Sequence, residues 1–238
     1  MKLRQLILVI LLTAPGIAFS QTQTPGDSVF SLMINSSISF THANDPHINR
    51  WMAKYGYPAE PHVPASVNVE IAAIPVASRL MYSLKLSTII SGKNLSSFNL
   101  LAGLYEAIIK TGNFQLLVGI GAGYHRDIIS LNGDLPTEYR QLASQYGKQL
   151  SLRRAGLFVE PAVRAFWFPV SFHNWQLGLY GGLGFDMDFN SQWRLGYYEN
   201  KHGRYNHFIK LTKPSDQQRV SEYGLAYNAG LSLHFHLH

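Results

Sequence analysis

The sequence predicts an all-β chain of eight antiparallel strands, connected up and down and closed into a transmembrane barrel. Three observations lead there. Apolar residues recur at every second position in eight separate stretches, the period of a strand with two unlike faces. These stretches run about ten residues or more, whereas strands of soluble proteins are usually ~5–6 long and membrane-crossing strands need ~9–11. The connections alternate between short and long, as in barrels with short turns on one side of a membrane and long loops on the other.

The stretches can be taken in order. In "VFSLMINSSISFT", Phe30, Leu32, Ile34, Ile38 and Phe40 share one face; Ser31, Asn35, Ser37 and Ser39 share the other, with Met33 an exception among them. "SVNVEIAAIP" opposes Val67, Val69, Ile71 and Ala73 to Ser66, Asn68 and Glu70. "RLMYSLKLSTI" opposes Leu80, Tyr82, Leu84 and Leu86 to Arg79, Ser83, Lys85 and Ser87. "FNLLAGLYEAII" alternates weakly, because Leu101 and Leu104 fall on opposite faces; placing Glu106 inward turns Leu101, Gly103, Tyr105 and Ala107 outward. "NFQLLVGIGAGYH" opposes Phe114, Leu116, Val118, Ile120 and Tyr124 to Gln115, Gly119, Gly121, Gly123 and His125. "AGLFVEPAVRAFW" opposes Leu157, Val159, Val163 and Trp167 to Gly156, Glu160 and Arg164. "NWQLGLYGGLGFDMDF" sets its odd-numbered apolar residues from Trp175 to Phe189 against Gln176, Tyr180, Asp186, Asp188 and three glycines. "YGLAYNAGLSLHFHL" opposes Leu225, Tyr227, Leu231, Leu233, Phe235 and Leu237 to Asn228, Gly230, Ser232, His234 and His236.

Between them, residues 41–65, 126–153 and 190–222 read as long loops, and 91–97 as an intermediate one. Pro75–Ser78, "KTGN" at 110–113 and "PVSFHN" at 169–174 read as short turns. Compact soluble domains rarely carry such long structureless loops. Here all of them fall at one end.

The N-terminus reads as an export signal. Lys2 and Arg4 precede a short apolar run broken by Pro15 and Gly16, and small Ala18 and Ser20 stand before Gln21. The expected division is a signal peptide at 1–20, a short segment at 21–27 and a barrel domain at 28–238. Without residues 1–20 the formal charge falls from +6 to +4, since Lys2 and Arg4 go with them. That excess on an exported chain does not call for nucleic acid. Charged residues are only 14% of the chain, against a typical ~25%. Cysteine is absent, which excludes disulfides and cysteine-ligated zinc.

Alternation alone leaves two barrels open. A soluble, lipocalin-like barrel turns its apolar face inward around a ligand; a membrane barrel turns it outward. The membrane reading is favoured by the small, glycine-rich polar face, by aromatic residues near strand ends, and by a last strand that runs to the end of the sequence.

At this point the whole stretch from residue 28 onward resembles the small eight-stranded outer-membrane barrels of Gram-negative bacteria, the OmpX-like and OmpA-like porin-family barrel domains. The resemblance rests on topology and on "NAGLSLHF", where Asn228, Gly230, Leu233 and Phe235 stand in the register of that family's C-terminal assembly signal. The family often ends on an aromatic residue, whereas Leu237 and His238 follow Phe235 here. The resemblance implies an outer-membrane address and recognition by the barrel-assembly machinery. It also implies outer-membrane lipid and lipopolysaccharide as surroundings. Within it, lipid A-modifying barrel enzymes are the alternative function. His125 with Asp127, and His173, are the rim residues to weigh for that, although no His-x-Ser spacing accompanies His125.

The remaining constellations read as follows. His234 and His236 lie on one strand face and are weak metal candidates, read more simply as interior filling, so no metal is expected. "VGIGAGYH" places its glycines within a strand and lacks the following helix of a nucleotide loop, so no cofactor is expected. The expected interior charges are Glu70, Lys85, Glu106, Glu160, Arg164, Asp186 and Asp188. Buried charges need partners; the expected pairs are Lys85 with Glu70 and Glu106, and Arg164 with Glu160. Eight strands leave an interior just wide enough for side chains, so a plug is expected in place of a wide pore. The basic and aromatic loop at 190–222 supplies the surface-binding candidates Arg194, Tyr197, Tyr198, Lys201, Arg204, Tyr205 and Lys210, for lipopolysaccharide phosphates or an extracellular ligand that the sequence does not name.

Overall fold

The computed structural model describes residues 30–43, 65–75, 78–90, 95–131, 140, 141, 144, 150–189, 193–201, 205–212 and 223–237. The expected signal peptide and the segment at 21–27 lie outside the described residues. Ten strands form one antiparallel sheet: β1 (Phe30–Ala43), β2 (Ala65–Pro75), β3 (Leu80–Ile89), β4 (Leu95–Lys110), β5 (Phe114–Ser130), β6 (Leu150–Phe172), β7 (Trp175–Phe189), β8 (Arg194–Lys201), β9 (Tyr205–Thr212) and β10 (Tyr223–Leu237).

Eight of these close a barrel. Each of β1 to β6 pairs with the next, β7 pairs with β10, and β10 returns to β1. Following the pairing from Ile34 through Ile71, Leu84, Ala102, Ala122, Val159 and Met187 leads to Tyr223. Tyr223 stands just past Gly224, the partner of Ala43. The ladder therefore climbs about ten residues in one circuit, the stagger that tilts the strands of a closed barrel.

The alternation sorts the two walls. Ile71 (52% exposed), Ile120 (54%), Leu183 (57%) and Leu231 (57%) face outward, while Met33 (0%) and Arg164 (2%) face inward. The apolar face is thus the outer one, which excludes a lipocalin-like arrangement. Phe30, Phe172, Trp175 and Phe235 lie at the short-turn end, and Phe40, Tyr124, Phe189 and Tyr227 toward the other. Phe40 stacks on Tyr227 across the β1–β10 seam at 5.7 Å.

Three expectations need correction. First, 190–222 is not a bare loop, because β8 and β9 form a hairpin within it. β5 occupies one side of β6, and both β7 and β8 pair with β6 in antiparallel sense, so β8 continues the line of β7 past the barrel's long-loop end. Second, β5 and β6 stay paired up to Ser130 and Ser151, so the loop expected at 126–153 is shorter at both ends. Strand structure likewise runs to Phe172, which confines the turn expected at 169–174 to His173 and Asn174.

Third, β4 faces the opposite way. Leu101, Tyr105 and Ala107 are buried inside, and Glu106 is exposed on the outer wall between Leu104 and Ile108. The reason is steric. Tyr105 pairs directly with Gly119 on β5, and a Cβ on Gly119 would run into the Tyr105 ring and the Leu104 carbonyl. Glycines on the inner face of β5 clear space that large side chains from β4 and β6 fill. Gly121 faces Leu101 and Gly123 faces Phe158 in the same way.

Candidate functional site

The barrel interior is layered. At the short-turn end it is an apolar core of Met33, Ile74, Met81, Leu117, Phe166 and Phe168. Phe166 lies parallel to Tyr180 at 5.3 Å and to Phe168 at 6.3 Å. This floor of aromatic side chains was not apparent in the sequence. Its signal is Gly178, where a Cβ would meet the Phe168 ring and the Trp167 backbone.

The charged layer sits on that floor. Arg164 ion-pairs with Glu70 and approaches Glu160 at 3.7 Å. Its guanidinium lies 3.9 Å from the centre of the Tyr105 ring. Glu70 also accepts a hydrogen bond from Asn35 Nδ2 at 3.0 Å. Lys85 Nζ donates to both Glu160 carboxylate oxygens, at 2.8 and 3.0 Å. The structure therefore brings together Glu70, Lys85, Glu160 and Arg164; the expected Arg164–Glu160 approach is present, but the shorter contact of Arg164 is to Glu70, and Lys85 pairs with neither Glu70 nor Glu106. Lys85 stands directly opposite Glu70 in the β2–β3 ladder, yet it bonds Glu160 on β6. Long side chains on a small barrel extend towards its axis and meet charges from the far wall. Glu106 does not join them, because it faces out. Asp186 is half-buried on the inner face of β7.

Towards the long-loop end the filling becomes hydroxyl and amide. Ser39 Oγ lies 2.8 Å from Ser66 Oγ, and Asn68 Nδ2 donates to Ser37 Oγ at 3.0 Å. Beyond them is a second ionic group. His125 Nδ1 is 3.1 Å from Asp127 Oδ2, and its Nε2 is 3.1 Å from Asp188 Oδ2. Arg154 Nη2 donates to Asp127 at 2.7 Å, and the Arg154 guanidinium covers the Trp193 ring at 5.1 Å.

The structure places the rim residues apart from one another. His125 is buried on the inner face, whereas Ser130 lies on the outer face of β5, so the two do not converge. His173 is exposed in the tight turn at the opposite end.

At the short-turn mouth, His234 Nδ1 lies 3.3 Å from Gln176 Oε1, and His236 Nδ1 lies 3.2 Å from Ser31 Oγ. The two rings are 4.6 Å apart. Among the described residues no group of three or more histidines, aspartates and glutamates is placed to hold a metal. Of the expected assembly-signal residues, Asn228 and Gly230 face inward on β10, and Leu233 and Phe235 face outward. A Cβ on Gly230 would strike the Ser36 carbonyl, so this glycine lets β10 close against β1.

Of the surface-binding candidates, Arg194 is exposed at the start of β8, directly opposite Arg153 on β6. Tyr197 is buried, paired with Leu150 on the inner face of the hairpin wall, and so is removed from the outer surface. Tyr198 and Lys201 belong to β8, and Tyr205 and Lys210 to β9. Arg204 lies outside the described residues.

No family model matches the chain, and no curated protein matches it. Among solved structures it is similar to Neisserial surface protein A, with 6% identity, a TM-score of 0.46, and 89% of this chain and 99% of that one covered. It is also similar to the outer membrane protein OprG from Pseudomonas aeruginosa, with 12% identity, a TM-score of 0.42, and 90% and 100% covered. A third is the outer membrane protease OmpT from Escherichia coli, at 8% identity and a TM-score of 0.31, with 92% and 99% covered. The fold described above stands on the chain's own strand pairing.

Proposed function

We propose that this chain is an integral outer-membrane barrel, closed through its middle, which supports the envelope and presents a basic, aromatic hairpin outside. It has no catalytic role in this reading. The apolar outer wall carries it. An apolar surface running right round a soluble protein would far exceed the few hundred Å² that soluble monomers tolerate. Facing lipid it is the required surface, and a closed sheet leaves no unpaired edge within the hydrocarbon. The rim aromatics suit the two membrane interfaces.

The Arg164 layer and the phenylalanine floor beneath it support a plug in place of a pore. Arg194 and Arg153, facing each other beyond the apolar belt, suit the phosphates of lipopolysaccharide, because guanidinium groups bind phosphate oxygens in pairs.

In the expected outcome, unheated protein migrates apart from heated protein on a denaturing gel and fractionates with the outer membrane. It gives no steady porin-sized conductance in a planar bilayer. Folded protein recovered from a soluble fraction would end the membrane reading, and a steady large conductance would end the plug.

A further inference from the structure

We propose that the short-turn mouth of the barrel holds one soft monovalent metal ion, Cu(I) or its analogue Ag(I), between His234, His236 and Met33. The site is separate from the hairpin and from the charged layer.

The imidazoles carry the argument. Each has its Nδ1 beside an oxygen from a neighbouring strand: Gln176 Oε1 for His234 and Ser31 Oγ for His236. An amide oxygen only accepts, so His234 Nδ1 bears the proton and Nε2 keeps its lone pair. Ser31 Oγ can accept from His236 Nδ1, and in the tautomer where it does, His236 Nε2 also keeps its lone pair. This is how metal-binding histidines are usually held, with one nitrogen fixed by an outer partner and the other left for the ion. His234 is 4% exposed, and its Nε2 is buried with no hydrogen-bond partner. A buried acceptor left in that state is costly unless something occupies it. The ring centres are 4.6 Å apart, which suits two nitrogens that must come within about 4 Å of each other to share one ion at ~2 Å from each.

Met33 supplies the chemical class. It is fully buried and stands directly opposite His234 in the β1–β10 ladder, on the same inner face. Cross-strand partners have their Cβ atoms ~4.5–5.5 Å apart. Two neutral imidazoles and a thioether, without a carboxylate, make a soft and uncharged donor set. It suits Cu(I), whereas a hard dication calls for oxygen ligands. His236 is only half-buried, which leaves the mouth open for entry.

The test uses the full chain, untagged and refolded in detergent, titrated with Cu(I) kept reduced by ascorbate against a chromogenic Cu(I) chelator. One Cu(I) per barrel should leave the chelator. His236→Ala should abolish the transfer, Met33→Leu should weaken it at least tenfold, and Gln176→Leu about 10- to 100-fold. His238→Ala should retain it. Heat-modifiable migration verifies that each variant has folded. No transfer to the parent protein, or full transfer to His236→Ala, overturns the site. Loss on His238→Ala alone assigns the copper to the chain end and overturns it too. Unchanged affinity in Met33→Leu removes the thioether and the choice of a soft ion.

Discussion

Arg164→Ala lowers barrel stability by about 3–5 kcal/mol, read from urea unfolding in detergent or lipid vesicles, because it breaks a buried ion pair from one side only. Arg164 is 2% exposed and its partner Glu70 is 1% exposed. The substitution leaves the Glu70 carboxylate without its guanidinium partner, with only neutral donors such as Asn35 beside it, and it uncovers the face of Tyr105. A second substitution separates charge from packing. Glu70→Gln combined with Arg164→Met removes both charges and keeps most of the volume, so it should recover much of the loss. A single Arg164→Ala change that costs under 1 kcal/mol would show that the charged layer does not hold the interior together.

Ile120→Arg is expected to cost about 2–4 kcal/mol when the barrel folds into lipid, the usual penalty for a cation on the lipid face near mid-membrane. Ile120 is 54% exposed, within β5, between outward-facing Leu104 and Pro161 on the neighbouring strands. On the water-facing wall of a soluble barrel the same change would stay within about 0.5 kcal/mol. Parental stability of Ile120→Arg in vesicles would therefore refute the lipid-facing assignment while leaving the barrel itself untouched.

The sequence makes the barrel legible where chemistry and geometry agree. In β1, β2, β3, β5, β6, β7 and β10 the residues that alternation sets on the apolar face do face out, so counting by twos finds the outer wall there. β4 is the exception, because polarity was asked to choose its face. Glu106 looks like an interior group, but interior volume decides the matter: Tyr105 has a glycine opposite it and a guanidinium to cover, and Glu106 has neither. Apart from Glu106 the interior charges were readable, and so was the approach of Arg164 to Glu160 four residues away on one strand, but the shortest contacts were not. Strand order reports which residues lie side by side in the wall, whereas Lys85 and Arg164 find partners across the lumen. The phenylalanine floor was hidden for a related reason. Phe158, Phe166 and Phe168 sit between outward apolar neighbours in an almost continuous hydrophobic run, where period carries little information. The hairpin was hidden because its residues are charged and aromatic without clean alternation, and β8 is placed by pairing with the far end of β6.

That hairpin also has a consequence for what the cell shows to its surroundings. β8 carries the line of β7 outward for eight residues, about 26 Å along the strand at ~3.3 Å per residue. In the proposed orientation the far ends of β8 and β9, at Lys201 and Tyr205, stand beyond the barrel, and an antibody too bulky to pass between surface sugar chains meets them first. A peptide epitope inserted there should be stained on intact cells, whereas one inserted between Lys110 and Phe114 should be stained only after permeabilisation. The opposite pattern would mean the barrel sits upside down.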